Sequence, residues 1–189
     1  MNVYLVRHGQ TQPNIDGPTG VVQGQLDTDL NNAGENQATQ LAKELEKISW
    51  EAVYSSTLKR AIRTAEILVR GRHPVLQVAG LNERHCGDWQ GRKRSDLACE
   101  LGYSDLIAFW KALGPHFAPP RGETFDQMVS RSVATFEQII SGHPRDSNVL
   151  LVSHGGPIRA ITGHLSGLSI EEVWQMRGPE NCEVIRVAV

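Results

Sequence analysis

The chain has 189 residues, with 19 lysines and arginines against 21 aspartates and glutamates. This length fits one domain with a substantial core, so we expect a single domain over residues 1–189. The formal net charge of −2 provides no overall field that would attract nucleic acid or an anionic membrane, and we expect neither as a partner. Any affinity for anions must therefore be local.

The cysteines indicate neither a disulfide framework nor a zinc site. Cys86, Cys99 and Cys182 are odd in number and lack C-x-x-C or Cys/His ligand spacing. The N-terminus shows no basic leader before a long apolar stretch, and no run approaches the roughly 18 apolar residues of a spanning helix. We therefore expect a cytoplasmic protein without a metal or another cofactor.

The first half of the chain alternates between strand and helix patterns. In chain order, the apolar periodicity predicts a strand at 2–6, a polar loop to about 30, a helix at 33–48, a strand at 52–55, a helix at 57–69 and a strand at 75–78. Ser56 or Thr57 is predicted to cap the helix that follows the second strand.

The second half continues this alternation after an interruption. The mixed, Pro-rich stretch at about 87–123 is interpreted as a helical lid insertion over one edge of the domain. It is followed by a helix from 124, a strand at 148–152, a helix after Gly155-Gly156, a helix at 170–176 and a strand at 183–189. The whole pattern predicts an α/β protein, a three-layer α/β/α sandwich with a mostly parallel central sheet.

Two predicted strands end in similar polar segments, Arg7-His8-Gly9 and Ser153-His154-Gly155. Ligands of open α/β sheets bind at the carboxyl ends of the strands. Arg7 offers a planar fork of donors for phosphate oxygens, and the helix after Gly155 would direct free N–H groups to the same crevice. Arg60 also follows a strand. Taken singly, each histidine could as well be a core or capping residue as a ligand-binding one. Arg60 could likewise belong to a solvated helix face.

Several separated segments have the order and content of a known family. They are Leu5–Thr11 with Asn14, Gln23-Gly24, Leu30–Gly34, Ser55–Ala61, Leu81–Glu83 and Val152–Gly156. On these segments the chain resembles the histidine phosphatase superfamily, the phosphoglycerate-mutase-like group, over essentially its whole length. Its appearance is closest to broad-specificity and alpha-ribazole-type phosphatases.

The resemblance implies a role for each matching position. His8 would attack phosphorus and carry it as phosphohistidine, while Arg7, Arg60 and His154 would hold the phosphoryl oxygens. Glu83 would protonate the leaving oxygen and later help water to attack. The implied substrate-binding set also contains Thr11, Asn14, Gln23, Gly24 and Gly155. Nearby arginines suit a histidine nucleophile, because they disfavour the imidazolium form.

The resemblance favours a metal-independent phosphatase for small phosphorylated metabolites. Leu81–His85 also looks mutase-like, but Gly87–Gly91 and Arg121–Thr124 resemble the phosphatases, and the mutases use a longer insertion and a C-terminal tail. A cofactor-dependent phosphoglycerate mutase and a non-catalytic phosphate-binding module remain alternatives. A metal hydrolase using His8, His85 and His154 is disfavoured by their spacing. A homodimer remains open.

Other polar residues near the implied site have two interpretations. One interpretation is that they contact the part of the substrate beyond its phosphate. The other, equally good, is that the charged residues are solvated and the tryptophan packed within the lid. The residues are Trp89, Arg92, Lys93, Arg94 and Glu123. His85 is a further candidate at the mouth of the site. Cys86 is interpreted as a small buried residue rather than as a second nucleophile.

Overall fold

A five-stranded sheet forms the centre of the fold. The computed structural model describes residues 1–189, apart from the side chain of Pro18. The strands are β1 (Asn2–Arg7), β2 (Ala52–Ser55), β3 (Leu76–Gln77), β4 (Asn148–Ser153) and β5 (Val184–Ala188). They lie in the order β3-β2-β4-β1-β5, and only β5 pairs in the antiparallel sense among these strands. The predicted α/β fold with a mostly parallel sheet is confirmed.

Helices cover both faces of the sheet. Those of the described chain are α1 (Gln12–Ile15), α2 (Asn32–Glu44), α3 (Lys59–Val69), α4 (Arg94–Glu100), α5 (Leu106–Leu113), α6 (Phe125–Ser141), α7 (Gly155–Leu165) and α8 (Ile170–Gln175). Successive residues of a strand point to opposite faces. Val152 accordingly packs with Leu41 of α2, while Leu151 packs with Phe136 of α6 and Ile158 of α7. The result is three layers.

The start of α3 differs from the prediction. The helix begins at Lys59 with Leu58 at the N-cap position, and no side chain caps it. The hydroxyls of Ser56 and Thr57 lie 2.8 and 3.0 Å from Asn82 Oδ1. The predicted N-cap is therefore wrong, because a tertiary partner takes both hydroxyls away from the helix end.

Smaller differences concern element ends. The helix predicted to reach 48 ends at Glu44, although Leu45 and Ile48 still pack on the core through the turn that follows. The polar loop before α2 contains α1 and a 3₁₀ turn over Gly17–Thr19, which were not predicted. Such short helices have too few residues to show a helical period.

Residues 87–123, called the insertion below, supply most of one apolar cluster, which Val22 and Cys86 complete. The insertion contains a 3₁₀ turn over Gly87–Trp89 together with α4 and α5. Its centre is a group of aromatic rings at centroid distances of 5.2 to 6.1 Å, formed by Trp89, Phe109, Trp110 and Phe117. Among the described helices, none has the length and apolarity needed to cross a membrane.

Candidate active site

The carboxyl ends of β1 and β4 bring two histidines together. Arg7 pairs with Ser153 in the parallel register, so the next residue on each strand, His8 or His154, leaves the sheet at the same level. The ring centroids lie 5.0 Å apart, and both side chains are buried. The two strand-end segments therefore form one site, at the sheet edge where α/β proteins bind ligands.

The hydrogen bonds of His8 determine which ring nitrogen is free. Nδ1 lies 2.7 Å from the carbonyl oxygen of Gly9, which only accepts, so Nδ1 carries the proton and Nε2 has the lone pair. Burial and the positive charges of Arg60 and Arg7 lower the pKa of His8 well below its usual value. His8 is therefore a neutral imidazole with an available nucleophilic nitrogen.

Arg60 lies between the two histidines. Its Nε is 3.3 Å from His8 Nε2 and 3.3 Å from His154 Nδ1. Its other nitrogens donate to main-chain carbonyls, Nη1 to Leu26 at 2.8 Å and Nη2 to Gly24 at 2.7 Å. Burial lowers the pKa of Arg60 to about 10, so it remains a cation at neutral pH.

Gly24 has a backbone conformation that suits glycine. Its φ is +47°, in the left-handed region. A Cβ atom at this position would also lie 2.7 Å from Gln90 Oε1. Gly24 therefore contributes its carbonyl oxygen, which orients Arg60, rather than a side chain.

Arg7 has a donor without a protein acceptor. Nη1 donates to the carbonyl of Pro179 at 2.7 Å, whereas Nε is buried and has no hydrogen-bond partner among the described residues. Gly155, the first residue of α7, lies beside it, and a Cβ there would be 3.9 Å from Nε. A buried cationic donor next to a helix N-terminus is a favourable arrangement for an anion.

A relay of hydrogen bonds orients His154. Its Nδ1 accepts from Arg60, so Nε2 carries the proton and donates to Ser56 Oγ at 2.7 Å. Ser56 in turn donates to Asn82 Oδ1 at 2.8 Å. Burial, followed by Arg60, His8 and Arg7, lowers the pKa of His154 well below its usual value. His154 is thus a second neutral imidazole.

Ser56 and Asn82 were not among the residues proposed from the sequence. Both lie in segments that carried the family resemblance, and both are buried polar residues next to strand ends. Burial was the missing signal, because a buried hydroxyl or amide needs a partner. Here Ser56 pairs with His154, and Asn82 accepts from Ser56.

The carboxylate of Glu83 lies at the N-terminus of α7. Its oxygens accept from Arg84 N at 2.8 Å and from Gly156 N at 3.2 Å. A Cβ on Gly156 would lie 2.3 Å from Glu83 Oε1, so only glycine permits this approach. The start of α7 therefore holds the carboxylate at Gly156, one residue after Gly155, which flanks Arg7.

Arg131 of α6 fixes the loop that carries Glu83. Its guanidinium donates to the carbonyls of Gly80, Asn82 and Glu83 at 2.7 to 2.9 Å. Glu123 pairs with Arg131 at 2.6 Å. Arg131 was not identified from the sequence, and it acts as a positioning residue for this loop.

Thr11, Asn14 and Gln23 form a hydrogen-bonded wall beside His8. Thr11 donates to Asn14 Oδ1 through its amide and hydroxyl at 3.0 Å, and Gln23 Nε2 donates to Thr11 Oγ1 at 2.9 Å. Asn181, which sequence reasoning missed, joins the wall by donating to the His8 carbonyl at 2.8 Å. The three proposed residues therefore lie together next to the nucleophilic histidine.

The candidates around the insertion are dispersed. Glu123 accepts from His85 N at 2.7 Å, so it supports the loop. Arg92 pairs with Glu100 on the surface. Arg94 donates to the main chain of α1 and lines the cavity described below. Lys93 is exposed.

Trp89 and Cys86 have packing roles. Trp89 is buried in the aromatic cluster of the insertion. Burial raises the pKa of Cys86 to about 12, so this thiol remains protonated and is a poor nucleophile.

A cavity of about 1120 Å³ opens from the site toward the insertion. Glu83, Gly156, Gln23 and Gly24 line it on the side of the site. Its walls contain aromatic and cationic side chains, Arg84, Trp110, Phe125, Arg159 and Trp174. The cavity has room for an organic group next to Glu83 and Gly156.

Comparison with known proteins identifies the family. The sequence pattern described as "Histidine phosphatase superfamily (branch 1)" matches residues 3–189. The chain belongs to the histidine phosphatase superfamily.

Several members of the histidine phosphatase superfamily resemble the chain in sequence and structure. It is 40% identical over 162 residues to the metal-independent phosphoserine phosphatase of Arabidopsis thaliana, covering 84% of this chain and 66% of that protein. It is 31% identical over 175 residues to a 2,3-bisphosphoglycerate-dependent phosphoglycerate mutase of Cytophaga hutchinsonii, covering 90% and 80%. The alpha-ribazole phosphatase of Shigella flexneri superimposes with a TM-score of 0.86 at 32% identity, covering 98% of this chain and 89% of the other. Histidine phosphatase superfamily relatives of this chain thus include phosphatases and phosphoglycerate mutases.

Proposed function

We propose that the protein is a phosphoric monoester hydrolase that transfers the phosphoryl group of small phosphorylated metabolites to His8 and then to water. The observation that carries the proposal is the environment of His8 Nε2. It is unprotonated, lies 3.3 Å from Arg60 Nε, and shares its pocket with the unpartnered Nε of Arg7. This combination places a nucleophile beside two cations, one of which has an unused donor.

In the first step, the lone pair of His8 Nε2 attacks phosphorus and the bond from phosphorus to the ester oxygen breaks. Arg7, Arg60 and His154 would surround the transferred phosphoryl group. The departing oxygen takes a proton from the carboxyl group of Glu83, which must enter the step protonated. The products are the free alcohol, the Glu83 carboxylate and phosphohistidine.

In the second step, the Glu83 carboxylate accepts a proton from a water molecule as that water attacks the phosphohistidine. The N–P bond breaks, its electron pair returns to Nε2, and inorganic phosphate leaves. His8 is again neutral, so the cycle closes. The Nδ1–H bond to Gly9 keeps the same nitrogen available at each turnover.

The guanidinium groups provide the positive charge that phosphoryl transfer requires. The transferring group carries negative charge in the transition state, and preorganised cations stabilise it in a buried site. Arg60 is held by two main-chain carbonyls and needs no reorganisation during the step. The similarity to a relative named as metal-independent also supports a reaction without a metal.

Trapping the phosphoenzyme tests this proposal. A substrate labelled in its phosphate, quenched in denaturant without acid, should label the wild-type protein with an adduct that is stable in alkali and labile in acid. His8→Ala should abolish both the adduct and phosphate release, while the exposed control His164→Ala keeps both. Turnover by His8→Ala at the wild-type rate would refute the mechanism. If the wild-type protein binds phosphate but shows no turnover, it is a non-catalytic binding module.

A phosphoglycerate mutase is the second candidate, because mutases are among the relatives. We rank it below the phosphatase, since the wide cavity beside Glu83 admits water to the phosphohistidine. Incubation with 3-phosphoglycerate and bisphosphoglycerate separates the two. Isomerisation faster than phosphate release would reverse the ranking.

The proposal extends to the surroundings of the reaction. The insertion would act as a lid over the bound metabolite, and its apolar cluster would keep it a coherent unit. The cysteines are free thiols, which fits a reducing cytoplasm. A homodimer remains a proposal, for which sedimentation or light scattering is the test.

A further inference from the structure

The insertion reaches the catalytic groups through the side chain of Gln90. This residue follows the 3₁₀ turn at the start of the insertion and is half-buried. Its Oε1 accepts from two main-chain N–H groups, that of Gln25 at 2.6 Å and that of Cys86 at 3.2 Å. The two donors lie on different loops. Gln90 therefore joins the loop that contacts Arg60 to the loop that carries Glu83.

The contact with Gln25 acts on a peptide group that also orients Arg60. The N–H of Gln25 and the carbonyl of Gly24 belong to one planar unit. The carbonyl accepts from Arg60 Nη2 at 2.7 Å, and the N–H donates to Gln90. Because a planar unit turns as a whole, fixing the N–H also fixes the direction of the carbonyl. Hydrogen bonds in series also polarise one another, which strengthens the acceptor for Arg60.

Gly24 is the reason why this peptide group needs a contact from outside its loop. The φ of Gly24 is +47°, and glycine populates this region and several others with similar ease. The local sequence therefore restricts the direction of the carbonyl only weakly. Gln90 provides the missing restriction through a hydrogen bond to the next residue, Gln25.

The insertion holds Gln90 in a fixed place beside this loop. Val22 donates from its main-chain N–H to the carbonyl of Arg92 at 2.9 Å, and Gly91 donates to the carbonyl of Val22 at 2.9 Å. These bonds flank Gln90 on the insertion and precede Gln25 on the loop. A side chain on such a paired segment keeps its position better than one on an unsupported loop.

The connection to the Glu83 loop has independent support. Gln25 Nε2 donates to the carbonyl of Glu83 at 2.8 Å. Arg131 donates to the same carbonyl at 2.9 Å, and it also holds the two residues next to Gly80 and Asn82 through their carbonyls. Loss of the Gln90 oxygen should therefore disturb Arg60 more than it disturbs Glu83.

We propose that Gln90 is a positioning residue of the active site. Its side-chain oxygen sets the direction of the Gly24 carbonyl, and through that carbonyl the direction of the Arg60 guanidinium. The inference rests on the proposed function, and it assigns to the insertion a part in arranging the cations around the phosphoryl group. Preorganised cations stabilise the transition state only while they keep their orientation.

Two substitutions separate the oxygen of Gln90 from its size. Gln90→Leu removes the acceptor, and the single-turnover rate of phosphoryl transfer should fall by about tenfold. Gln90→Glu keeps an oxygen acceptor and should stay within about threefold of the wild type. The matched control is Gln138→Leu at an exposed position on α6, which should keep the wild-type rate. A wild-type rate in Gln90→Leu, or an equal loss in Gln90→Glu, would overturn the proposal.

The leaving group shows which connection carries the effect. Arg60 acts on the phosphoryl group of every substrate, whereas the acid Glu83 matters only when the departing oxygen needs a proton. Gln90→Leu should therefore lose a similar factor with propyl phosphate and with p-nitrophenyl phosphate. A loss confined to propyl phosphate would assign the effect to Glu83 and overturn the route through Arg60.

Binding separates the positioning role from the reaction. Calorimetry with inorganic phosphate should show about fivefold to tenfold weaker binding to Gln90→Leu than to the wild type. In an Arg60→Met background, adding Gln90→Leu should weaken binding no further, because the two residues act as one unit. The single variant decides alone if Arg60→Met does not fold.

The outcomes of the binding experiment are distinct from failure of the proposed hydrolysis. Unchanged phosphate affinity in Gln90→Leu would overturn the positioning role, even if every variant releases phosphate. An equal further loss in the Arg60→Met background would do the same. If phosphate binding depends on Gln90 but the wild type shows no turnover, the proposed hydrolysis fails while the positioning role stands.

Discussion

Two regions of the site present cations in different ways. The floor consists of His8, His154 and Arg60 at the strand ends, and the cavity wall beneath the insertion contains Arg84 and Arg159. On the floor, strand register and main-chain carbonyls fix His8, His154 and Arg60. On the wall, aromatic rings cover the faces of Arg84 and Arg159. A floor held by the backbone of the sheet suits chemistry that must not vary, whereas a wall made of side chains can differ between relatives. We therefore expect floor variants to change kcat and wall variants to change selectivity and KM.

Apart from loss of the nucleophile itself, the largest effect should come from Glu83→Gln, next to the floor. The amide cannot donate a proton as an acid, so kcat on alkyl phosphates should fall by about 10² to 10⁴-fold. p-Nitrophenyl phosphate has a leaving group that needs no proton, and its phosphoryl transfer to His8 should suffer much less. Burst kinetics with both substrates measures this difference. Equal losses on the two would remove Glu83 from the role of acid.

The buried histidines should make stability depend on pH. The pKa values of His8 and His154 are lowered in the folded protein, so the unfolded chain binds more protons just below the usual histidine value. The contribution of these two histidines to the free energy of unfolding is therefore complete above about pH 6.5. It falls as the pH drops, by up to about 1.4 kcal/mol per pH unit for each histidine.

Urea unfolding at pH 7.5 and 5.5 measures this slope. His154→Gln should lose about half of it, because one of the two titrating groups is gone. The exposed His164 provides the control, since His164→Gln should keep the slope of the wild type. A slope that His154→Gln leaves intact would contradict the assignment.

Asn82→Ala tests the relay behind His154. Removing the oxygen that accepts from Ser56 and Thr57 frees the hydroxyl that orients His154, and kcat should fall by about tenfold. Asn82→Asp restores the acceptor but adds a charge that raises the pKa of His154. Asn82→Asp should therefore regain activity. On the acidic limb of the pH profile, its activity should begin to fall at a higher pH than that of the wild type. Identical pH profiles for Asn82→Asp and the wild type would argue against the relay.

The smallest effect is expected in the insertion. Phe109 contacts Trp89 and Trp110, and Trp110 covers Arg84. Phe109→Leu should loosen this wall and raise KM by about threefold, with kcat changed by less than about twofold. Ile107→Ala on the exposed side of α5 is the matched control. A fall in kcat comparable to that of the floor variants would remove the distinction between the two regions.

The sequence predicted the fold more completely than it predicted the site. The strand patterns hold because buried strands need apolar runs, and β1, β2 and β4 begin and end within one residue of their predictions. The N-cap of α3 was wrong, because Ser56 and Thr57 are claimed by Asn82. Local patterns report what a side chain prefers in its own segment, and they carry no information about a distant partner.

The sequence by itself determined that apolar strands alternate with helices and that His8 and His154 each follow a strand, since both features are local. Only the tertiary structure decided which nitrogen of each ring carries the proton. That decision depends on Arg60, which is 94 positions from His154, and on Gly9 and Ser56. The convergence of Arg84 and Arg159 likewise appears only after α7 packs beside the Glu83 loop. Hydrogen bonds and charges act through space, so folding has to bring these groups together before their chemistry is defined.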